Sequence, residues 1–476
     1  MTPSILDEEL PTDSVPVARP QPRPRRPGAV LFALSAAVFV FSLMQTLVVP
    51  ALPTVGADLG ANAQGTGWIL TAFLLSGAVL APVVGNLGDR FGHRRILLIA
   101  LAVFAASTLA AAAAPNLTVL LVARVVQGIS TATFPLALAL ARTLLSGPRL
   151  AAAFGWIPGM IGLGAGIALV VGGVIVDALS WRWLFIIGAV LIALSALLVI
   201  VQVPGGAAPA VAKRTDWPGI VLLAGGLVGV LLAVSQGSAW GWVSPLTLGV
   251  GTLGLLLLVA LVLVEVRTPS PVVDVRTFRH GPLVLISILT LAVGFVPYVC
   301  YIALPPLMQA PAGTGYGHGL SVTASALAMF PSAVLVFLGG RMTPALAARW
   351  GAGAAGLISA IVMGVGAVGL AVWPTVPLAV IIGFSILGLG NGIGYAICAQ
   401  LVMQHSPAAE TGAATGLNSV VRTIGSAAAA PVVAAVLAAT ATDSATGYGT
   451  VFWMAVGASA VGAAASIALV VGARRR

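Results

Sequence analysis

The side chains able to carry acid–base, nucleophilic or metal chemistry are few in this sequence and poorly placed for it. It holds twelve Asp and Glu, four His and two Cys in 476 residues. Asp7, Glu8, Glu9 and Asp13 precede the first apolar run, and Asp58, Asp89, Asp177, Asp216, Glu265, Asp274, Glu410 and Asp443 lie in loops or at the ends of apolar runs. His93, His280, His318 and His405 are placed likewise. The sequence has no G-x-x-x-x-G-K-[ST] phosphate loop, no H-E-x-x-H pair and no plausible Ser/His/Asp set, so neither ATP-driven transport nor hydrolysis is expected and no cofactor is implied. Cys300 and Cys398 sit in apolar runs without metal-ligand spacing and read as core thiols. What remains inside the apolar runs is solute-binding chemistry: Gln45, Trp68, Arg124, Gln127, Tyr298, Tyr301, Asn391, Tyr395, Asn418 and Arg422. Polar groups in such runs face protein or water, and with aromatic surface they would hold a bulky amphipathic molecule.

The elements that position these residues follow from composition. Hydrophobic residues make up 59% and charged residues 7% of the chain, with mean hydropathy +1.10, whereas soluble domains carry about 25% charged residues. This is the composition of an all-α integral membrane protein. Spans of roughly 20 apolar residues are expected near 29–50, 66–87, 96–114, 116–141, 153–176, 182–203, 217–236, 245–266, 282–308, 320–340, 352–373, 376–402, 411–439 and 450–472. Residues 1–28, rich in Pro and polar groups, read as a disordered cytoplasmic tail. The run that follows is too long for a cleaved signal segment.

An even span count puts both termini on one side, and the basic residues say which. With the amino terminus in the cytoplasm, nineteen of the 22 Lys and Arg fall on inside segments, and Arg124, Arg182 and Arg422 lie within or at the ends of spans. The net charge of +10 is therefore a membrane-orientation signal, not a nucleic-acid footprint. Arg124 sits about 12 Å inside its span at 1.5 Å per residue. Burying it there costs at least about 2.5 kcal/mol unless it is paired or hydrated.

The segment Gly85-Asn-Leu-Gly88-Asp89-Arg90-Phe-Gly92-His-Arg94-Arg95 is a basic turn between the second and third spans. It resembles the G-x-L-a-D-R-x-G-R-K/R turn of the major facilitator superfamily. Arg124-Val-Val-Gln127-Gly128 resembles that superfamily's R-x-x-Q-G, and Gly155, Gly164, Gly172 and Gly173 fall in register with the antiporters' G-x8-G-x3-G-P-x2-G-G. Gly67-Trp68, Trp181-Arg182-Trp183-Leu-Phe185, Asp216-Trp217-Pro218-Gly219 and Gly416-Leu417-Asn418 with Arg422 and Gly425 resemble the fourteen-span drug:proton antiporter branch. The resemblance implies the major facilitator fold: six-helix bundles over 29–203 and 282–476, joined by a linker over 204–281 that inserts two extra helices, 14 transmembrane helices in all. It also implies alternating access, a conformational latch at Gly85, Gly88, Asp89, Arg90, Gly92, Arg94 and Arg95, and multidrug efflux from the plasma membrane by a monomer in contact with lipid. Echoes of the turn at Gly339-Gly340-Arg341 and Arg349-Trp350-Gly351 fall where a second copy belongs.

Two departures bear on the energy source. The branch commonly carries an Asp in its first span, where this chain has Met44, and the Gly-Pro of the antiporter signature is Ala168-Leu169 here. If protons are coupled, the candidates are the end-of-span acids Asp177 and Glu265, or a direct response of Arg124 to an anionic substrate. A dedicated exporter or facilitator of one metabolite, and a receptor or lipid-handling protein on the same scaffold, are the alternatives. Epitope tags placed before Met1 and after Arg476 should both become accessible only when the membrane is permeabilised; labelling of one tag on intact cells would contradict the topology.

Overall fold

The computed structural model describes residues 26–61, 63–205, 216–268, 281–406, 411–439 and 445–474. Most of the expected tail and the basic residues Lys213, Arg214, Arg276 and Arg279 lie outside the described residues. In chain order the helices are α1 (Pro27–Thr46), α2 (Leu52–Asp58), α3 (Ala63–Phe91), α4 (His93–Ala112), α5 (Leu117–Gln127), α6 (Thr133–Leu144), α7 (Gly147–Ala178), α8 (Arg182–Gln202), α9 (Trp217–Trp240), α10 (Pro245–Glu265), α11 (Gly281–Gln309), α12 (Val322–Trp350), α13 (Ala352–Val372), α14 (Pro377–Gln404), α15 (Thr411–Ala439) and α16 (Ala445–Arg474). A 3-10 stretch, Gly128–Ala132, joins α5 to α6 so that the two make one span. Thirteen of these segments are long and apolar enough to cross a membrane. The remaining expected span, 411–439, is the 29-residue α15, which places Arg422, Thr423 and Ser426 on the wall of an internal cavity.

Starts and stops follow local chemistry. Asn116, Asp216, Ser244 and Ser321 each accept a hydrogen bond from the backbone N–H three residues on, at 2.9–3.2 Å, and so cap α5, α9, α10 and α12. The basic motif is mostly helix: α3 runs to Phe91, and the chain reverses at Gly92 alone, whose φ of +92° suits glycine. Gly351, φ +87°, does the same between α12 and α13. The expected end of the tenth span near residue 340 is thus corrected to Trp350. Gly339-Gly340-Arg341 is not a turn; there is no Cβ at either glycine, and the helix continues through them in close contact with its neighbours.

Buried side chains gather in two large cores. One spans Val30 to Val203 and is joined by Ala399 and Met403 of α14; the other spans Leu283 to Ala455. A smaller third cluster places Leu223, Leu227 and Leu261 of the α9–α10 pair against Val79 of α3 and Leu417, Val420 and Ile424 of α15. α10 is otherwise an apolar surface, with Leu253, Leu255, Leu256, Val259 and Leu263 all more than half exposed, as expected of a helix whose solvent is lipid.

The two large cores meet along α7 and α12. A methyl on Gly155 would stand 2.6 Å from the Gly340 carbonyl oxygen, and one on Gly340 would stand 2.8 Å from that of Gly155. The seam continues with Gly159 against Phe337, Gly162 against Val336 and Gly166 against Ala333. Trp156 packs edge-on against Phe337 at 5.3 Å, with the Arg341 guanidinium 5.2 Å from the Trp156 ring centroid. Of the four signature glycines, Gly155 faces α12, Gly164 and Gly172 face backbone oxygens of α1 (Phe39) and of the turn after it (Leu47), and Gly173 has nothing within 4 Å.

At the opposite end of the amino-terminal bundle, Asp58 accepts hydrogen bonds from Trp181 Nε1 and Arg182 Nη1, both at 2.9 Å, while Arg182 Nη2 donates to the Ala114 carbonyl at 3.2 Å. This clasp accounts for the Trp-Arg pair that opens α8. The Trp181 hydrogen bond, then Arg182, hold the Asp58 carboxyl below its ordinary value of 3.8.

Two expectations follow. Gly155→Val and Gly340→Val should each lower stability by about 1–3 kcal/mol, because backbone cannot move aside as a side chain can, read as a lower Tm in detergent; Gly173→Ala should leave Tm unchanged or slightly raised. A depressed carboxyl pKa stabilises the fold above its unfolded value and loses that contribution as pH falls through the folded one. Tm should therefore drop as pH is lowered past about 3.8 in the wild type, and this increment of acid sensitivity should be missing in Asp58→Asn.

Candidate functional site

A cavity of about 480 Å³ lies between the two large cores, within the roughly 300–1,000 Å³ usual for small-molecule sites. Gly162 and Val336 of the seam belong to its wall. The remaining lining residues lie on the side of the seam away from Gly92: the last turns of α1, the first of α3, the outer part of α7, the end of α11 and the start of α12, with α14 and α15 contributing their middles.

Each polar group there is placed by helical spacing. On α1, Ser42, Gln45 and Thr46 share one face; Ser42 Oγ donates to the Ile161 carbonyl, which fixes α1 against α7, and Thr46 Oγ1 shares its proton between the Ser42 carbonyl of its own helix at 3.1 Å and that of Ala165 at 3.3 Å. Gln45 Nε2 donates to Tyr298 Oη at 3.4 Å and spans the cavity from one bundle to the other. On α11, Pro297, Tyr301, Pro305 and Gln309 recur every four residues on the cavity face. Tyr298, Tyr301 and Phe384 stack edge-to-face in series at 5.8 and 5.5 Å. Asn391 and Tyr395 lie one turn apart on α14. The Arg422 guanidinium stands 4.8 Å from the Tyr395 ring centroid and 5.4 Å from that of Phe134.

Of the ten residues expected to face a cavity, Gln45, Tyr298, Tyr301, Asn391, Tyr395 and Arg422 line this one; Trp68, Arg124, Gln127 and Asn418 do not. Arg124 is 1% exposed. Its Nε donates to the Ile69 carbonyl at 2.9 Å, its Nη1 to Gln127 Oε1 at 2.8 Å, and its guanidinium lies 4.4 Å from the Phe73 ring centroid. Gln127 Nε2 in turn donates to Thr108 Oγ1 at 3.2 Å. The R-x-x-Q pair thus ties α5 to α3 and α4 inside one bundle. Asn418 is likewise turned away, its Oδ1 accepting from Thr290 Oγ1 at 2.8 Å. Trp68 stays half-buried on α3 outside the lining.

The acids are elsewhere. Asp177 is exposed at the end of α7, and Glu265 is fully buried at the end of α10. Carboxyl oxygens of Glu265 and Asp216 both come within 2.7 Å of where a Cβ on Gly219 would stand, so α9 and α10 bring two carboxylates close together. In the basic turn, Asp89 Oδ1 lies 2.8 Å from His93 Nε2, and Arg94 Nη2 donates to the Ile200 carbonyl at the end of α8 at 3.0 Å.

Sequence reasoning missed Ser42, Thr46, Gln309, Ser325, Thr423 and Ser426, which also line the cavity. The signal was present as polar residues at helical spacing within otherwise apolar spans. Taken together, the lining offers amide, hydroxyl and aromatic groups with a single cation and, among the described residues, no carboxylate. It can bind and orient a molecule with an aromatic or apolar body.

A family model described as Major Facilitator Superfamily matches residues 34–430. The puromycin resistance protein of Streptomyces alboniger is 34% identical over 319 residues, covering 64% of this chain and 63% of that protein, so the match spans less than two thirds of that relative's length. The tetracenomycin C resistance and export protein of Streptomyces glaucescens is 28% identical over 411 residues, covering 84% of this chain and 74% of that one. The solved structure of the human organic anion transporter MFSD10 is similar in fold, with TM-score 0.66 at 14% identity, over 91% of this chain and 99% of that one. With paired helical cores, a cavity between them and a family match across most of its length, the chain belongs to the Major Facilitator Superfamily as a multi-pass membrane protein.

Proposed function

We propose that this protein is a secondary active transporter that exports hydrophobic or amphipathic small molecules by alternating access, with proton antiport as its energy source. The observation that carries the reading is the cavity between two cores that are sealed on one side by a backbone seam. Such halves rock about a central site. With the basic ends of the spans in the cytoplasm, both termini are cytoplasmic, the seam closes the cytoplasmic side, and the cavity belongs to an outward-facing state of a plasma-membrane monomer. The Gly85–Arg95 segment then acts as the latch, its Asp89 and Arg94 fixing the ends of α3, α4 and α8, while neighbouring arginines meet lipid headgroups. Similarity to resistance and export proteins of streptomycetes supports efflux as the direction.

Proton coupling is assigned to acids outside the cavity: Glu265 beside Asp216, or Asp177. The lack of a carboxylate among the described lining residues favours a second reading, a dedicated exporter or facilitator that needs no protons. Purified protein in proteoliposomes, offered a panel of amphipathic aromatic compounds of each charge, should move several of them, faster with an imposed pH gradient and more slowly once a protonophore collapses it. Glu265→Gln or Asp177→Asn should abolish that acceleration. Equal flux with and without the gradient would support the uncoupled reading, and saturable binding without any flux would overturn transport altogether.

A further inference from the structure

The geometry points to Arg422 as the anchor for an aromatic, amphipathic anion, a carboxylate or phenolate carried on a planar ring system. This inference rests on the cavity being the transport site and names the class of molecule it selects.

The two arginines embedded in the spans are built differently. Arg124 is engaged inside the amino-terminal bundle, with two hydrogen-bond acceptors and a ring stacked on it; its Nη2 is buried without a partner, and the side chain does not line the cavity. Arg422 is the one charged side chain among the described cavity-lining residues. Its guanidinium has aromatic faces on two sides, Phe134 from the amino-terminal core and Tyr395 from α14. Among the described residues no carboxylate is paired with it; the ion pairs found are His93–Asp89 and Arg182–Asp58, both remote from the cavity. Its backbone is held firmly: Ser426 Oγ donates to the Arg422 carbonyl at 3.1 Å and to that of Gly294 on α11 at 3.3 Å. The site is therefore a cation on an anchored stretch of helix, flanked by two rings, in the wall of a largely apolar, aromatic chamber.

Water can solvate this charge only while the chamber is open. Once the halves close around the cargo, an unneutralised guanidinium would be left in a low-dielectric space, the situation that burial of a lone charge makes most unfavourable. Since the described lining residues supply no negative charge, a neutralising charge comes from the cargo. A cation would instead meet like charge at close range. The planar guanidinium matches a carboxylate in bidentate fashion, and Tyr298, Tyr301 and Tyr395 offer ring faces and edges to an aromatic body. Asn391 adds a second requirement. It is 5% exposed, and its Oδ1 is buried without a hydrogen-bond partner, one helical turn from Tyr395; a hydroxyl or N–H on the ligand would satisfy it.

The test is equilibrium binding to the purified full-length protein in detergent, using three probes of one shape: naphthoate, naphthylmethanol and naphthylmethylammonium. Wild type should bind naphthoate about tenfold or more tighter than the other two, the scale of a charge-assisted hydrogen bond. Arg422→Gln should reduce naphthoate to the affinity of the alcohol, and Arg422→Lys should retain part of the preference. Hydroxynaphthoate should bind tighter than naphthoate, and Asn391→Leu should erase that difference. The comparison of charges in the wild type needs no variant, so misfolding of a mutant cannot decide it. Equal or tighter binding of the alcohol or the ammonium probe, no saturable binding of either naphthoate, or a naphthoate preference that survives Arg422→Gln would overturn the inference. So would displacement of naphthoate by physiological chloride, which would mean that Arg422 holds a resident inorganic ion. Binding of naphthoate without flux would remove the transport reading and leave the site; preferential flux of cations would do the reverse.

Discussion

The seam between α7 and α12 is the constraint on which the rest of this structure depends. Helices in lipid gain no hydrophobic drive from meeting one another, so their association relies on close packing. Here the packing is backbone on backbone at Gly155 and Gly340, extended by Gly159, Gly162 and Gly166 toward the middle of the helices. A seam of this kind brings the two cores into contact on one side and leaves a gap on the other, and that gap is the cavity. At Gly155 and Gly340 no side chain interlocks, whereas Val336 and Ala333 seat against Gly162 and Gly166 further along. The aromatic contacts of Trp156 with Phe337 and Arg341 lie beside it and are replaceable interactions between flexible groups.

Much of the fold was legible in the sequence because membrane helices announce themselves by length and apolarity. The spans near 182–203, 245–266 and 352–373 start at the same residue as the helices found and end one residue later, since Arg182, the Ser244 cap and Gly351 are strong local boundaries. The tenth span was cut short because Gly339-Gly340-Arg341 resembles a turn; a glycine pair looks the same in sequence whether it breaks a helix or lets two helices touch.

The candidate site was legible in part. Tyr298, Tyr301, Asn391, Tyr395 and Arg422 are brought together, whereas Arg124 and Gln127, singled out by the clearest motif after the basic turn, bond to one another within a single bundle. Which way a polar side chain in a span points depends on its partner, and the partners Ile69, Thr108 and Thr290 lie far away in sequence or are unremarkable backbone. The hydroxyls of α1 and α15 were overlooked because Ser and Thr in apolar spans commonly return their hydrogen bond to their own helix, as Thr46 does to Ser42.

The third cluster has a consequence for how a lipid-soluble molecule would meet this protein. α9 rests on α3 from one core and α15 from the other, so the inserted hairpin straddles one lateral boundary between the bundles, while among the described residues no such hairpin covers the α7–α12 boundary. The two flanks that face the bilayer are therefore unequal. One is splinted and would drag a pair of helices along with any rocking motion; the other has no splint among the described residues, so acyl chains would reach the joint between the bundles more directly on that flank.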